Sequence, residues 1–205
     1  MHIAIAGNIG AGKTTLTYLL SKYFGFEPRY ADNEQNPYLL DFYSEMPRWA
    51  FNLQISFLHS RLREMLDIRK EMKNVIQDRT LYEDGQIFAP NLHALGLMTT
   101  RDYDTYKQLF EVVAELIEPP DLLIYLKGDI PTLVEQIQSR GRNYEDNLRL
   151  DYLKKLNARY DEWYDNYEFG KKVEIPIKEL NFRDNPEDLG VIINKVKAEL
   201  YGLFS

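Results

Sequence analysis

Residues 7 to 15, GNIGAGKTT, carry chemistry in their spacing: Gly7, Gly12, Lys13 and Thr14 match G-x-x-x-x-G-K-[ST]. Glycines let backbone N–H groups turn inward around phosphate oxygens. The lysine adds a point charge for the β and γ phosphates, and the threonine hydroxyl can ligate Mg²⁺. Gly7, Asn8, Ile9, Gly10, Ala11, Gly12, Lys13, Thr14 and Thr15 are therefore candidate residues for binding a nucleoside triphosphate. The match follows the apolar run HIAIAG and opens a helical pattern at Lys13, which is the context a phosphate cradle needs. A second stretch, VIQDRT, puts Asp78 and Arg79 at the carboxyl end of an apolar run, the edge where open α/β sheets bind ligands. Asp78 can hold Mg²⁺ or a proton while Arg79 steadies developing negative charge. A third, SRGRNYE, sets Arg140, Arg142 and Glu145 around a glycine that ends a helix, as a closing lid over about 138–147 requires. Its arginines would neutralise charge on a moving phosphoryl group. Taken singly, the three stretches also read as a Gly-rich turn, a helix-capping acid and a solvated charge run.

These residues need a sheet to position them. Apolar runs at HIAIAG, NVIQDR (74–79), DLLIYLKG (121–128) and KKVEIPI (171–177) alternate with helical stretches, and EPRYA (27–31) supplies a fifth. Such alternation predicts an α/β fold with a five-stranded parallel sheet flanked by helices. Helices are expected from Lys13, from Pro47 to about residue 72, and over 81–95, 102–118, 130–139, 148–168 and 186–201.

The 205 residues, 44% of them hydrophobic, suit a single domain. A net charge of −7 argues against a protein that grips a nucleic-acid backbone. There is no cysteine, and His2, His59 and His93 are scattered, so thiolate metal sites are excluded and no histidine ligand cluster is visible. No apolar run is long enough to span a membrane and no leader precedes the first strand, so a cytoplasmic protein without a membrane partner is expected. The D-x-x-G and N-K-x-D patterns of a GTPase switch do not occur, since NKVK at 194 lacks the aspartate.

In order and spacing, GNIGAGKTT, NPYLLDFY, RWAFNLQISFLHSR, DRTLYED and RGRNYE together resemble the deoxyribonucleoside kinase family over nearly the whole chain. The resemblance implies a P-loop kinase fold with a lid, and transfer of phosphate from ATP to the 5′-hydroxyl of a deoxynucleoside. It assigns base reading to Gln54, whose amide can make a bidentate contact, with Arg61 two helical turns away on the same face and Asp84 as its partner. That Arg and Asp pair favours purines. The resemblance also assigns the 3′-hydroxyl to Tyr43 and Glu145, and places the adenine of ATP between the lid and LNFRDN at 180–185. Trp49, Phe57 and Phe88 are candidate walls of the base cleft, although aromatics at helical spacing equally serve as core. The family forms dimers through a helix bundle, so a homodimer is expected, with DYDTYKQLFEVVAELI as an apolar-faced contributor.

Two positions depart from the family pattern. The glutamate that takes the 5′-hydroxyl proton in the family falls, by counting back from Asn36, on Ala31, which cannot accept a proton. Three accounts of this stand: a shifted register, with Asp32 or Glu34 nearby; another acid such as Asp78 doing the work; or a replaced base that leaves a binding-competent but slow enzyme. The second departure is Gln136, where relatives often carry a further lid arginine. Two rival functions follow. A nucleoside monophosphate kinase shares the P-loop, the DR pair and the lid, but its charged acceptor would want basic residues where Asp32, Glu34, Asp84 and Glu145 are expected. A catalytically weak nucleotide-binding module is the reading that Ala31 keeps open.

Overall fold

In a computed structural model, described for residues 1–31, 35–142 and 148–202, five strands form one parallel sheet in the order β2-β3-β1-β4-β5. The strands are β1 (His2–Gly7), β2 (Glu27–Arg29), β3 (Val75–Asp78), β4 (Leu122–Lys127) and β5 (Lys171–Pro176). Side chains alternate across β1: Ile3 and Ile5 join one core with Leu16 and Leu20 of α1 (Lys13–Phe24) and Ile192 and Val196 of α9 (Pro186–Tyr201). Ala4 and Ala6 face the other core, with Leu53 and Leu58 of α3 (Met46–Glu71) and Tyr160 of α8 (Leu150–Asp165). Alanines on that face let large side chains approach the central strand. β1 pairs β3 on one side and β4 on the other, so the P-loop leaves the sheet at its centre.

The expected strands are all present, with β2 ending at Arg29 rather than residue 31. Pro47 lies in the first turn of α3, which ends at Glu71 as predicted to within a residue. The remaining long helices are α6 (Thr100–Glu115) and α7 (Ile130–Arg140). A short helix not expected from the sequence, α2 (Leu39–Ser44), packs on α3.

One helix departs from expectation. The stretch predicted as a single helix over 81–95 divides into α4 (Leu81–Glu83), a π-helical turn (Asp84–Phe88) and α5 (Ala89–Ala94). Gly85 explains why the wider turn fits: a Cβ there would lie 2.3 Å from the ring of Phe110, which belongs to α6. The close approach holds the π turn against α6 and aims Asp84 at α3, where it meets Arg61. Among the described residues no helix is long and apolar enough to cross a membrane. Because this contact tolerates no methyl group, Gly85→Ala should lower unfolding stability by about 1–3 kcal/mol, read as a shift in denaturant midpoint at constant slope; an unchanged midpoint would show that Phe110 moves aside freely.

Candidate active site

The P-loop wraps back on itself. Gly10 has φ +84°, and a Cβ on it would sit 2.7 Å from the carbonyl oxygen of Leu133 in α7, so only glycine fits the turn. Lys13 is buried and donates from Nζ to the carbonyls of Gly7 (2.8 Å) and Asn8 (2.9 Å). Burial, and then the nearby Arg79 cation, push its ammonium down to about 7 against the opposing pull of Asp78 and Glu83. Such a lysine gains from an anionic phosphate arriving beside it. Asn8 is fixed separately, its amide donating to the Leu153 carbonyl and to Asn157 Oδ1, both on α8.

Parallel pairing of β1 with β3 sets Ile5 beside Asp78 and so brings the two chemical stretches together. Thr14 Oγ1 donates to Asp78 Oδ2 at 2.5 Å, while Asp78 Oδ1 is buried with no hydrogen-bond partner. A hydroxyl and a carboxylate with a spare oxygen form a hard oxygen donor set, and Mg²⁺ needs few protein ligands because phosphates and water complete its octahedron. Both residues therefore fit the ion. Arg79 takes a left-handed backbone (φ +72°), uncommon for a non-glycine residue, and its N–H donates to the Ile5 carbonyl. Its guanidinium lies 4.4 Å over the Phe88 ring, with Nε 3.9 Å from Glu83 Oε1.

Glu83, fully buried, holds the site together and was not singled out from the sequence. Oε2 accepts from the Thr80 N–H at 2.8 Å, and Oε1 accepts from the Tyr160 hydroxyl at 2.8 Å and from the Gly7 N–H at 3.5 Å. It ties together the P-loop, the DR pair and α8. The signal was present in the sequence, because Thr80-Leu81-Tyr82-Glu83 is a capping box. The cap of α4 is thus Thr80, which leaves Asp78 free of that duty.

A cavity of about 420 Å³ opens at this sheet edge. It is lined by the predicted Ile9, Gly10, Gly12, Lys13, Thr14, Thr15, Ala31, Tyr43, Gln54, Asp78, Arg79, Arg140 and Arg142, together with Phe57 and Phe88. Gly7, Asn8 and Ala11 build the loop without lining it, and Arg61 and Asp84 do not line it either but are buried as an ion pair at 3.6 Å. Trp49 is a correction: it is not part of the wall but packs half-buried against Tyr38 and under Arg48. Glu145, Asp32 and Glu34 lie outside the described residues, as does 143–147 of the expected lid. Tyr152 of α8 and Arg183 also line the cavity, and no local pattern marks either one. A second cleft of about 270 Å³ runs from Gly12 between α7 and the loop carrying Asn181, Phe182 and Arg183, where LNFRDN was expected to meet the donor base. Among the described residues no group of three or more histidines, cysteines or acids could hold a metal ion by itself.

The expected acidity of the acceptor region takes a different form. Of its four acids only Asp84 is described, and it is paired with Arg61. The described cations on the cavity wall, Lys13, Arg79, Arg140, Arg142 and Arg183, come from the P-loop, the DR pair, the lid and the 180–185 loop, whereas the α2 and α3 wall of Leu39, Phe42, Tyr43, Leu53, Gln54 and Phe57 carries none.

The deoxynucleoside kinase family model matches residues 3–201. The chain belongs to the deoxynucleoside kinase family. It is 35% identical over 202 residues to a deoxyadenosine/deoxycytidine kinase of Bacillus subtilis, covering 97% of this chain and 93% of that protein. It is 37% identical over 207 residues to a deoxyguanosine kinase of Lactobacillus johnsonii, at 97% and 92% coverage. A solved deoxyadenosine kinase from M. mycoides, with the products dCMP and a flexible dCDP bound, superposes with a TM-score of 0.87 at 33% identity, covering 97% of this chain and 100% of that one. This chain is accordingly a phosphotransferase of P-loop kinase fold whose acceptor group is a hydroxyl.

Burial raises the Asp84 carboxyl from 3.8 to about 6, with Arg61 and Arg79 opposing the rise. A carboxyl raised in the folded state contributes stability that is complete below its ordinary range and lost as pH climbs through the folded value. Asp84→Asn, which does not titrate, should therefore gain stability relative to the parent between pH 4 and 6.5, by on the order of 2 kcal/mol. Ligand-free urea titrations across that range measure it, and a difference independent of pH would contradict the assignment.

Proposed function

We propose that this kinase transfers the γ-phosphoryl group of ATP to the 5′-hydroxyl of a purine deoxyribonucleoside in the cytoplasm, with Mg²⁺ held by Thr14 and Asp78. The observation that carries the reading is an unmet amide beside a loose ion pair: Gln54, on the cavity wall, buries Oε1 without a hydrogen-bond partner, and Arg61, two turns along the same helix, meets Asp84 only at 3.6 Å. Buried polar groups are almost always paired, so such a group of donors and acceptors fits a ligand edge that completes it. The cation-free α2 and α3 wall suits a neutral base and sugar, with Phe57 and Phe88 as apolar faces and Tyr43 near the sugar. The names of the relatives support purines, since deoxyadenosine and deoxyguanosine recur among them.

In the transfer, a bond forms between the 5′-oxygen and the γ phosphorus as the bond from that phosphorus to the β–γ bridging oxygen breaks, ADP departs, and the 5′-hydroxyl proton passes to water because Ala31 cannot accept it. Bound Mg²⁺ would neutralise phosphate charge. Lys13 anchors the β and γ phosphates, and Arg79, Arg140 and Arg142 face the charge on the moving group. Ala31 lies on the cavity wall, which supports the position identified by counting, and Asp78 is the one carboxylate among the described lining residues. The favoured account is a replaced base and a slow enzyme. A homodimer is supported by Leu109 and Val112 of α6 and Leu116 at its C-cap, exposed apolar residues at helical spacing, and by exposed Leu66 of α3, the helix that α6 packs on.

Titrating deoxyadenosine, deoxyguanosine and their 5′-monophosphates as acceptors in a coupled ADP assay tests the reading. The nucleosides should be phosphorylated and the monophosphates should not; the reverse would make the protein a monophosphate kinase, and no turnover would make it a binding module. Ala31→Glu should raise kcat about tenfold or more, since a positioned base contributes roughly 10²–10⁴-fold, with little change in nucleoside KM. An unchanged kcat would exclude the replaced-base account.

A further inference from the structure

Arg61 is approached by two carboxylates, and the mechanism uses only one of them. Asp84 lies on one side, its Oδ2 3.6 Å from Arg61 Nε, too far for a hydrogen bond. Glu64, one turn along α3, lies on the other, and its Oε2 accepts from Arg61 Nη1 at 3.4 Å. The same oxygen accepts from Gln77 Nε2 at 2.7 Å. Gln77 is fully buried in β3, and its Oε1 lies 2.9 Å from His2 Nε2. Because the Gln77 amide nitrogen is committed to a carboxylate, its oxygen faces His2, and the His2 Nε2 carries the proton. A fixed chain of bonds thus runs from β1 through β3 to Glu64 and ends on Arg61.

An arginine fork facing a single buried carboxylate tends to close into a bidentate pair, which would satisfy both groups and leave nothing for a ligand. Here the pair is stretched instead: Arg61 Nε and Asp84 Oδ2 form an ion pair at 3.6 Å with no second contact closing the fork. We propose that Glu64 is a positioning residue for base selectivity: anchored by Gln77, it shares the Arg61 guanidinium with Asp84, so that the Arg61–Asp84 ion pair stays loose enough to turn toward the edge of a nucleobase. The Glu64 side chain is 17% exposed, so it sits at the margin of the core and not in the cavity. Burial pushes its carboxyl up, and Arg61 and Gln77 act against that rise. The claim that the loose pair reads a base rests on the nucleoside reading above, whereas the claim that Glu64 keeps it loose does not.

Glu64→Gln, a neutral isostere, tests both. With the charge gone, Arg61 should close on Asp84. In the ligand-free protein the Asp84 carboxyl, followed by ¹³C NMR, should then titrate at lower pH than in the parent; an unmoved midpoint overturns the positioning claim whatever the substrate is. In the enzyme assay, KM for the preferred deoxynucleoside should rise about fivefold or more, and the kcat/KM ratio between purine nucleosides and deoxycytidine should change by about as much. KM for ATP should stay within about twofold. In an Arg61→Met background the same change should have less than about a twofold effect, as expected for residues acting as one unit. A selectivity ratio unchanged while Asp84 does shift would overturn the selectivity half. A parent enzyme that phosphorylates no nucleoside would also overturn that half, together with the nucleoside reading, and leave the NMR result to decide the positioning. Should Glu64→Gln fold poorly, Gln77→Met, which removes the anchor and keeps both charges, is read by the same two measurements.

Discussion

Charge compensation at the carboxyl edge of β1 and β3 governs this molecule. Lys13, Asp78, Arg79, Glu83, Asp84 and Arg61 are all buried in one region, where an unpaired charge would be costly. Glu83 meets this constraint by accepting from Thr80, Tyr160 and Gly7 while facing Arg79. With that carboxylate in place, Arg79 can hold its left-handed backbone and lie over Phe88, and the P-loop can begin at a fixed height above the sheet.

Compensation is incomplete where a ligand belongs. Lys13 turns to the carbonyls of its own loop, Asp78 keeps one oxygen without a partner, and Arg61 and Asp84 pair only at 3.6 Å. Cations collect on the P-loop and lid side while the α2 and α3 wall has none, so one cavity divides into an end for phosphate and an end for a neutral acceptor. That division suits a neutral base and sugar at the wall without a cation, with the transferring phosphate at the other end.

The parts of the site that were legible in the sequence are local. Gly7 to Thr15 announce themselves because the cradle is made of consecutive backbone groups, and strand and helix alternation suffices for a parallel sheet. Gln54 and Arg61 could be placed on one helix face by their spacing of seven, and the structure buries both, Gln54 on the cavity wall and Arg61 off the lining in an ion pair with Asp84. Features set by distant elements were not legible. The π turn at Asp84–Phe88 has helical apolar spacing, and only Phe110, twenty-five residues beyond Gly85, makes the wider turn fit. Trp49 looked like a cleft wall because the rotation of α3 is decided by what packs around it. Tyr152 and Arg183 reach the cavity from α8 and from the loop after β5, with no local pattern to mark them. Glu83 was within reach, since the capping box it forms with Thr80 is a local signal.

The most direct test of the central claim is a crystal structure with deoxyadenosine and a non-hydrolysable ATP analogue. The account predicts that the base edge supplies the missing partner of Gln54 Oε1 and bonds to the Arg61 and Asp84 pair, while the 5′-oxygen points at the γ phosphorus beside Lys13 and Asp78. A nucleoside bound elsewhere, or one seated in the cavity with Gln54 Oε1 still unpaired and no bond to that pair, would contradict it.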